Sequence, residues 1–370
     1  MSFILHACLL ALLMLTTAGA PAREAPLASP SELATALGAG GDAGFAKALA
    51  PRRLTFPADH GPHPAFRNEW WYVTGNLESE GGERFGYELT IFRVALAPAV
   101  PESISDWRTN QLYFAHFALT RPGEARFHAA ERYARGAAGL AGAQAEPFRV
   151  WLHDWSISEM PDGRWRLEAS DEDLRLELLL HALKTPVLQG DDGLSQKSGE
   201  PGNASYYYSL TRLQSDGELT VGDEILEVRG LSWLDREWST SALAPGQSGW
   251  DWFALQFDDG SELMVYGLRR RDGSLDLHSA GSFVHAEGGV TRLHRDDFDI
   301  TVTDTWTSPL GGTYPAGWTM RIPALAIDLE IRPVMENQEL DTIVRYWEGA
   351  VDVRGSHGGR GYVELTGYAE

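Results

Sequence analysis

Phe85-Gly86-Tyr87-Glu88-Leu89-Thr90-Ile91-Phe92-Arg93-Val94 places Phe85, Tyr87, Leu89 and Ile91 at every second position, with Gly86, Glu88 and Thr90 between them. Successive side chains of a strand point to opposite faces, so this period of two reads as β-structure with one face buried. The same period recurs over residues 113–119, 164–169, 174–180 and 206–213. Turn signals separate such runs at Pro161-Asp162-Gly163, Ser215-Asp216-Gly217, Asp258-Asp259-Gly260 and Arg271-Asp272-Gly273. Short strands at this spacing, with almost no helical periodicity, predict an all-β protein built of antiparallel sandwiches or barrels.

Composition agrees. Among 370 residues there are 39 Gly, 13 Trp, 12 Tyr and 14 Phe, a mixture suited to strands joined by tight turns. With 43% hydrophobic and 22% charged residues the chain can bury a sizeable core, and its length corresponds to about two domains. The formal charge of −21 disfavours a nucleic-acid surface, which needs clustered cations, and likewise docking on anionic lipid. Cys8 is the single cysteine, so neither a disulfide framework nor a thiolate zinc cluster is expected.

Residues 3–17 form an apolar run followed by Ala18-Gly19-Ala20-Pro21-Ala22. This reads as a signal peptide over residues 1–22, cleaved after Ala22, and implies a periplasmic or secreted protein. Leu5-His6-Ala7-Cys8 loosely matches an acylation site, but the apolar run continues past Cys8, so a lipoprotein is not expected. Residues 23–51 are rich in Ala, Gly, Pro and Ser and read as a linker, with one short helix over residues 31–37 capped by Ser31. No later segment is apolar enough for a membrane helix.

The remainder repeats weakly. Trp165, Leu176-Glu177-Leu178 and Pro186-Val187-Leu188 recur in the same order as Trp318, Leu329-Glu330-Ile331 and Pro333-Val334-Met335. Each half also opens on an aromatic cluster, Glu69-Trp70-Trp71-Tyr72 and Trp250-Asp251-Trp252-Phe253. We read a duplication, with domains at 52–240 and 241–370.

The sequence holds no Gly-rich phosphate loop, His-Glu-x-x-His pair, nucleophile elbow or dinucleotide fingerprint, which leaves nucleotide-driven and serine-hydrolase chemistry unsupported. What stands out is carboxylates beside indoles. Glu69 precedes Trp70 and Trp71, Asp235 and Glu237 precede Trp238, and Glu348 follows Trp347. In a strand Asp235 and Glu237 share a face, as do Trp250 and Trp252. A carboxyl among aromatic faces is poorly solvated, so its pKa rises and it can donate a proton near neutral pH. The rings also offer negative π faces to a carbocation. The plainer reading is structural, with Arg212 and Arg236 as ion partners of the Asp235 stretch. His116 shares a face with Phe114 and Ala118, either as a polar group of a ligand cavity or as a core histidine. His60 and His63, in Asp59-His60-Gly61-Pro62-His63-Pro64, more readily form a hydrogen-bonded plug at a barrel mouth than a metal site.

Asp59-His60-Gly61-Pro62-His63 and Glu69-Trp70-Trp71-Tyr72-Val73-Thr74-Gly75-Asn76-Leu77 resemble the opening signature of the hydroxyneurosporene synthase (carotenoid 1,2-hydratase) and AttH-type family. The likeness continues through Ala115-His116-Phe117, Tyr206-Tyr207-Tyr208-Ser209, Gly230-Leu231-Ser232-Trp233-Leu234-Asp235-Arg236-Glu237-Trp238, Gly249-Trp250-Asp251-Trp252-Phe253, Tyr346-Trp347-Glu348 and residues 361–368. It implies two tandem lipocalin-like antiparallel β-barrels. For the hydratase branch it also implies cofactor-free addition of water to a terminal trisubstituted double bond of an acyclic carotenoid. That branch carries a His near its acid stretch, where this chain reads Asp-Arg-Glu-Trp.

The expected protein takes a long apolar ligand, isoprenoid or lipid, into a Trp-lined cavity and hydrates or hydrolyses it. Asp235 and Glu237 are its candidate acids and His116 its candidate water-positioning group. Glu69, Trp70, Trp71, Tyr72, Trp238, Trp250, Trp252, Tyr266, Trp347 and Glu348 are its candidate ligand contacts. No cofactor or metal is expected, the partner is a hydrophobic small molecule, and any envelope association is peripheral. The alternative is a lipid carrier or envelope structural protein without catalysis.

Overall fold

A computed structural model describes residues 42–100, 102, 104–240 and 243–369. The expected signal peptide, Cys8 and the helix over residues 31–37 lie outside the described residues. Among the described residues the only helical elements are four three-residue 3-10 turns, and no helix is long and apolar enough to cross a membrane. The all-β expectation holds.

The first sheet opens with a meander: β1 (Asn68–Ser79), β2 (Arg84–Ala95), β3 (Gln111–Arg121) and β4 (Arg126–Arg135). It continues through β5 (Ala141–Ala145), β6 (Phe148–Leu152), β7 (Trp155–Glu159), β8 (Trp165–Asp171) and β9 (Leu174–Ala182). Two short strands, β10 (Val187–Leu188) and β11 (Leu194–Gln196), precede the long β12 (Ala204–Val221) and β13 (Glu224–Ser239). The spatial order is β4-β3-β2-β1-β13-β12-β9-β8-β7-β6-β5, so β13 returns beside β1 and the sheet curls into a nearly closed barrel.

The second sheet comprises β14 (Gln247–Phe257), β15 (Glu262–Arg270), β16 (Ala280–Val284), β17 (Val290–His294), β18 (Asp299–Thr307) and β19 (Thr313–Ile322). It ends with β20 (Ile327–Pro333), β21 (Glu339–Leu340), β22 (Tyr346–Gly355) and β23 (Gly359–Leu365). Its order, β17-β16-β15-β14-β23-β22-β20-β19-β18, repeats that of the first sheet from β4 to β7 and lacks counterparts of β6 and β5, and it forms only a half-barrel. The two stretches matched in the sequence form equivalent hairpins, β8-β9 and β19-β20. The two aromatic clusters lie on the equivalent strands β1 and β14.

Alternation sends the apolar set of each strand inward. Trp71, Val73, Leu89, Ile91, Phe117, Trp155, Leu176 and Trp238 fill the first barrel, and Phe253, Trp318, Met320, Ile331, Trp347 and Val351 fill the second. Neither barrel is therefore a hollow can, as small barrels filled by their own side chains need not be. The opposite face of the central strands is not left to water: Tyr72, Tyr207, Trp233, Trp252, Met264, Tyr266 and Tyr362 pack the two sheets against each other along a seam. Gly86 allows close approach there, because a Cβ at that position would lie 2.6 Å from Ala350 Cβ. The seam is pinned by Glu262 of β15, which accepts Arg212 Nε at 2.5 Å and Lys184 Nζ at 2.8 Å from the first sheet. Arg212 is thus committed to Glu262, not to Asp235.

Residues 42–51, expected as the end of a linker, lie on the first barrel. Ala48 is in its core, Ala46 N donates to Ala65 O, and Tyr206 donates to Ala50 O.

Candidate active site

The cavity lies in the seam, not in either barrel. Its volume is about 140 Å³, and its walls come from both sheets. Asp235 and Glu237 of β13, Tyr207 of β12, and Trp70 and Tyr72 of β1 line one side; Trp250 and Trp252 of β14, Tyr266 of β15, Tyr346 and Glu348 of β22, and Glu364 of β23 line the other. Their convergence follows from the pleat. Odd positions of β13 from Trp233 to Glu237 face outward from the first barrel, just as even positions of β14 face outward from the second.

Asp235 is almost completely buried. Its carboxyl accepts hydrogen bonds from Tyr207 Oη, from Ser209 Oγ at 2.5 Å and from Trp233 Nε1 at 2.7 Å. Burial pushes this carboxyl up to about 7, and the charge of Glu237 adds to the rise, while the three donors oppose it without cancelling it. Arg236, expected as an ion partner, points the other way, into the first barrel, because neighbours on a strand face opposite sides.

Glu237 has a different environment. Lys197 Nζ lies 3.1 Å from its carboxylate and 4.5 Å from the centre of the Tyr266 ring. Burial works against the Lys197 ammonium, but Glu237, together with Tyr266 and Asp235, outweighs it and holds the lysine above its usual range. The pair is an ionic post at the cavity wall, beside the Asp235 carboxyl that burial raises.

The second sheet contributes its own acids. Glu364 Oε1 accepts Trp250 Nε1 at 3.0 Å, and burial pushes Glu364 up to about 8, with the charges of Asp235 and Glu237 adding to the rise. Glu348 accepts Tyr72 Oη at 2.7 Å across the seam; burial first, and then the charges of Glu364 and Glu88, push it well above the carboxylate range. Trp252 Nε1 reaches back to Tyr207 Oη at 3.2 Å, so each sheet's opening strand donates a hydrogen bond into the other's wall.

His116 does not line the cavity. Fully buried, its Nδ1 meets Tyr346 Oη at 2.6 Å, so it supports the wall through a phenol. Burial lowers its pKa to about 3 and keeps the ring neutral. Four of the expected ligand contacts also lie elsewhere. Trp71 and Trp238 face the interior of the first barrel, Trp347 faces that of the second, and Glu69 is a buried anion. Glu69 accepts Arg93, Arg236 and the His63 backbone N–H; burial opposes its charge, but the two guanidiniums hold it well below the usual carboxylate range. Around it sits the plug: His63 stacks on Trp238 at 3.8 Å, His60 Nδ1 meets Tyr208 Oη at 2.6 Å, and Arg236 lies 4.0 Å over Trp71.

Lys197, Tyr207, Tyr346 and Glu364 are cavity residues that sequence reasoning missed. Three of them stand inside signature strings, Tyr207 in the Tyr206-Tyr207-Tyr208 run, Tyr346 beside Trp347 and Glu364 within residues 361–368. Alternation from Tyr362 to Glu364 would have flagged the last. Lys197 lies in a loop, and nothing in its neighbourhood announces it.

Comparison with known proteins gives the relationships. A model of the AttH-like family matches residues 47–368. A protein of Nitrosomonas europaea described as AttH has a crystal structure 36% identical to this chain, covering 87% of it and 100% of that chain, with a TM-score of 0.79. Kievitone hydratase from Nectria haematococca shares the fold at a TM-score of 0.64 and 16% identity, over 88% of this chain and 97% of that one. Dehydratase asqC of Emericella nidulans is 25% identical over 186 residues, 47% of this chain and 50% of that protein, so the match spans half the length of this curated relative.

Proposed function

This chain belongs to the AttH-like family, and from that premise we propose that its seam cavity is the active site of an acid-catalysed hydro-lyase acting on the double bond of an apolar, isoprenoid-like or lipid guest. The observation that carries this reading is Asp235: a carboxyl whose pKa lies near 7, set between indoles and phenols on the wall of a cavity. Resemblance to proteins named hydratase and dehydratase supports the reaction class.

The steps follow from the geometry. The protonated Asp235 donates to the less substituted alkene carbon; the π pair forms the new C–H bond, leaving a tertiary cation. Tyr207, Ser209 and Trp233 are already placed to receive the resulting carboxylate, so little reorganisation accompanies proton loss. Trp70, Trp250, Trp252 and Tyr266 line the cavity, and aromatic rings of this kind stabilise a cation. Water then adds, and the reverse sequence is dehydration. A volume of about 140 Å³ is below the roughly 300–1,000 Å³ of sites that enclose a whole small ligand, so the cavity receives the reacting end of a long guest while the rest lies toward the opening. We place the reaction outside the cytoplasm, on the signal peptide read over residues 1–22.

The test is incubation of the purified protein with lycopene or neurosporene, followed by mass spectrometry. A product one water heavier, lost in Asp235→Asn at unchanged folding, supports the reading. Equal turnover in Asp235→Asn overturns the role of the acid. A lipid that copurifies and leaves unchanged, with no product, favours the carrier.

A further inference from the structure

The two sheets repeat one another, and each places one acid at the same point of its own register. In the first, Asp235 of β13 stands opposite Tyr72 of β1 and Ser209 of β12. In the second, Glu364 of β23 stands opposite Trp252 of β14 and Glu348 of β22. Because β13 and β23 are the equivalent closing strands, the duplication sets two carboxyls on opposite walls of one cavity, and both line it.

Building on the hydro-lyase reading, we propose that Glu364 is the second catalytic group, the base that takes the proton of the attacking water after Asp235 has protonated the alkene. The balance is complete. Asp235 gives its proton to carbon, the water oxygen forms the C–O bond with the cation, and the water's second proton passes to the Glu364 carboxylate. The product is the alcohol, with the proton moved from one wall to the other and returned through solvent. In dehydration the two exchange roles.

The surroundings separate these two from the other ionisable groups. Glu237 is tied to Lys197. Glu348 is engaged by Tyr72, and Glu88 of β2 by Thr90; burial raises both above the carboxylate range, so they face Glu364 as neutral acids. The phenols of Tyr72 and Tyr207 are raised as well, first by burial, and stay protonated. Asp235 and Glu364 titrate as a coupled pair; burial raises Glu364 to about 8 and Asp235 to about 7, so the form that reacts, with Asp235 protonated and Glu364 ionised, is the minor one of the two singly protonated forms.

The experiment compares Asp235→Asn, Glu364→Gln and Glu364→Asp. The first readout needs no substrate: the carboxyl titration of the full-length protein by infrared difference spectroscopy. Removing the Glu364 charge should lower the Asp235 midpoint by at least half a pH unit in Glu364→Gln, while Glu364→Asp should restore it. An unchanged midpoint overturns the pair. The second readout is the pH profile of lycopene hydration. A bell in the wild type should lose at least 100-fold in kcat and one limb in Glu364→Gln, with partial recovery in Glu364→Asp. If Asp235→Asn is inactive but Glu364→Gln keeps the wild-type rate and profile, Glu364 is not the base and the acid assignment stands. If Asp235→Asn retains full activity, the hydro-lyase reading itself falls.

Discussion

Asp235 shows how one side chain couples chemistry to stability. Its carboxyl has an ordinary pKa of 3.8 and is raised by burial to about 7 in the folded protein. The protonated form is therefore favoured by folding. This contribution is complete below pH 3.8 and is lost as pH rises through 7, a penalty of about 4 kcal/mol at full ionisation by proton linkage. Wild-type stability to urea should accordingly fall between pH 4 and pH 8, and Asp235→Asn should flatten that fall; parallel slopes would show that another group carries it. Sequence neighbours foretold the shift in direction, through the nearby indoles and Glu237. They did not foretell that Arg236 would be absent from the site, since the partner that draws it inward, Glu69, is 167 residues away.

Among the elements, β1 shows both faces of a central strand in use. Its Trp71 and Val73 belong to the barrel core, while Trp70 and Tyr72 line the cavity. Glu69 lies on the core side, so its role is to neutralise Arg93 and Arg236. Removing one member of a buried ionic network leaves uncompensated charge, which costs about 3–5 kcal/mol. Glu69→Gln should lower the unfolding free energy obtained from urea denaturation by that amount while leaving affinity for an apolar dye such as Nile red intact. Loss of dye binding in the folded variant would instead place Glu69 at the ligand. The period of two was readable for β2, β3, β8, β9 and β12 because one face of each meets a core. It could not reveal that the opposite face of β1, β2 and β13 is covered along its length, since Thr74, Asn76, Glu88 and Thr90, buried there beside the aromatics, are polar.

The molecule as a whole is a filled, nearly closed barrel and a filled half-barrel pressed face to face, and its cavity exists because they approach closely. Gly86→Leu would drive a side chain against Ala350 and wedge the sheets apart. Its affinity for Nile red should fall by about tenfold or more, corresponding to about 1.4 kcal/mol or greater, whereas Gly123→Ala, in an open turn with nothing within 4 Å, should leave affinity unchanged. Equal loss in both would show a general loosening of the fold.

Local chemistry in the chain was enough to specify strands, turns, the internal repeat and the kind of group, acid beside indole, that could protonate an apolar guest. Those properties depend on side-chain alternation and short-range neighbours. Which acids meet, and where, was settled by folding. Asp235 and Glu364 stand 129 positions apart in sequence and come together through strand register and the packing of one sheet on the other. Burial by that packing, which no local pattern encodes, raises both carboxyls.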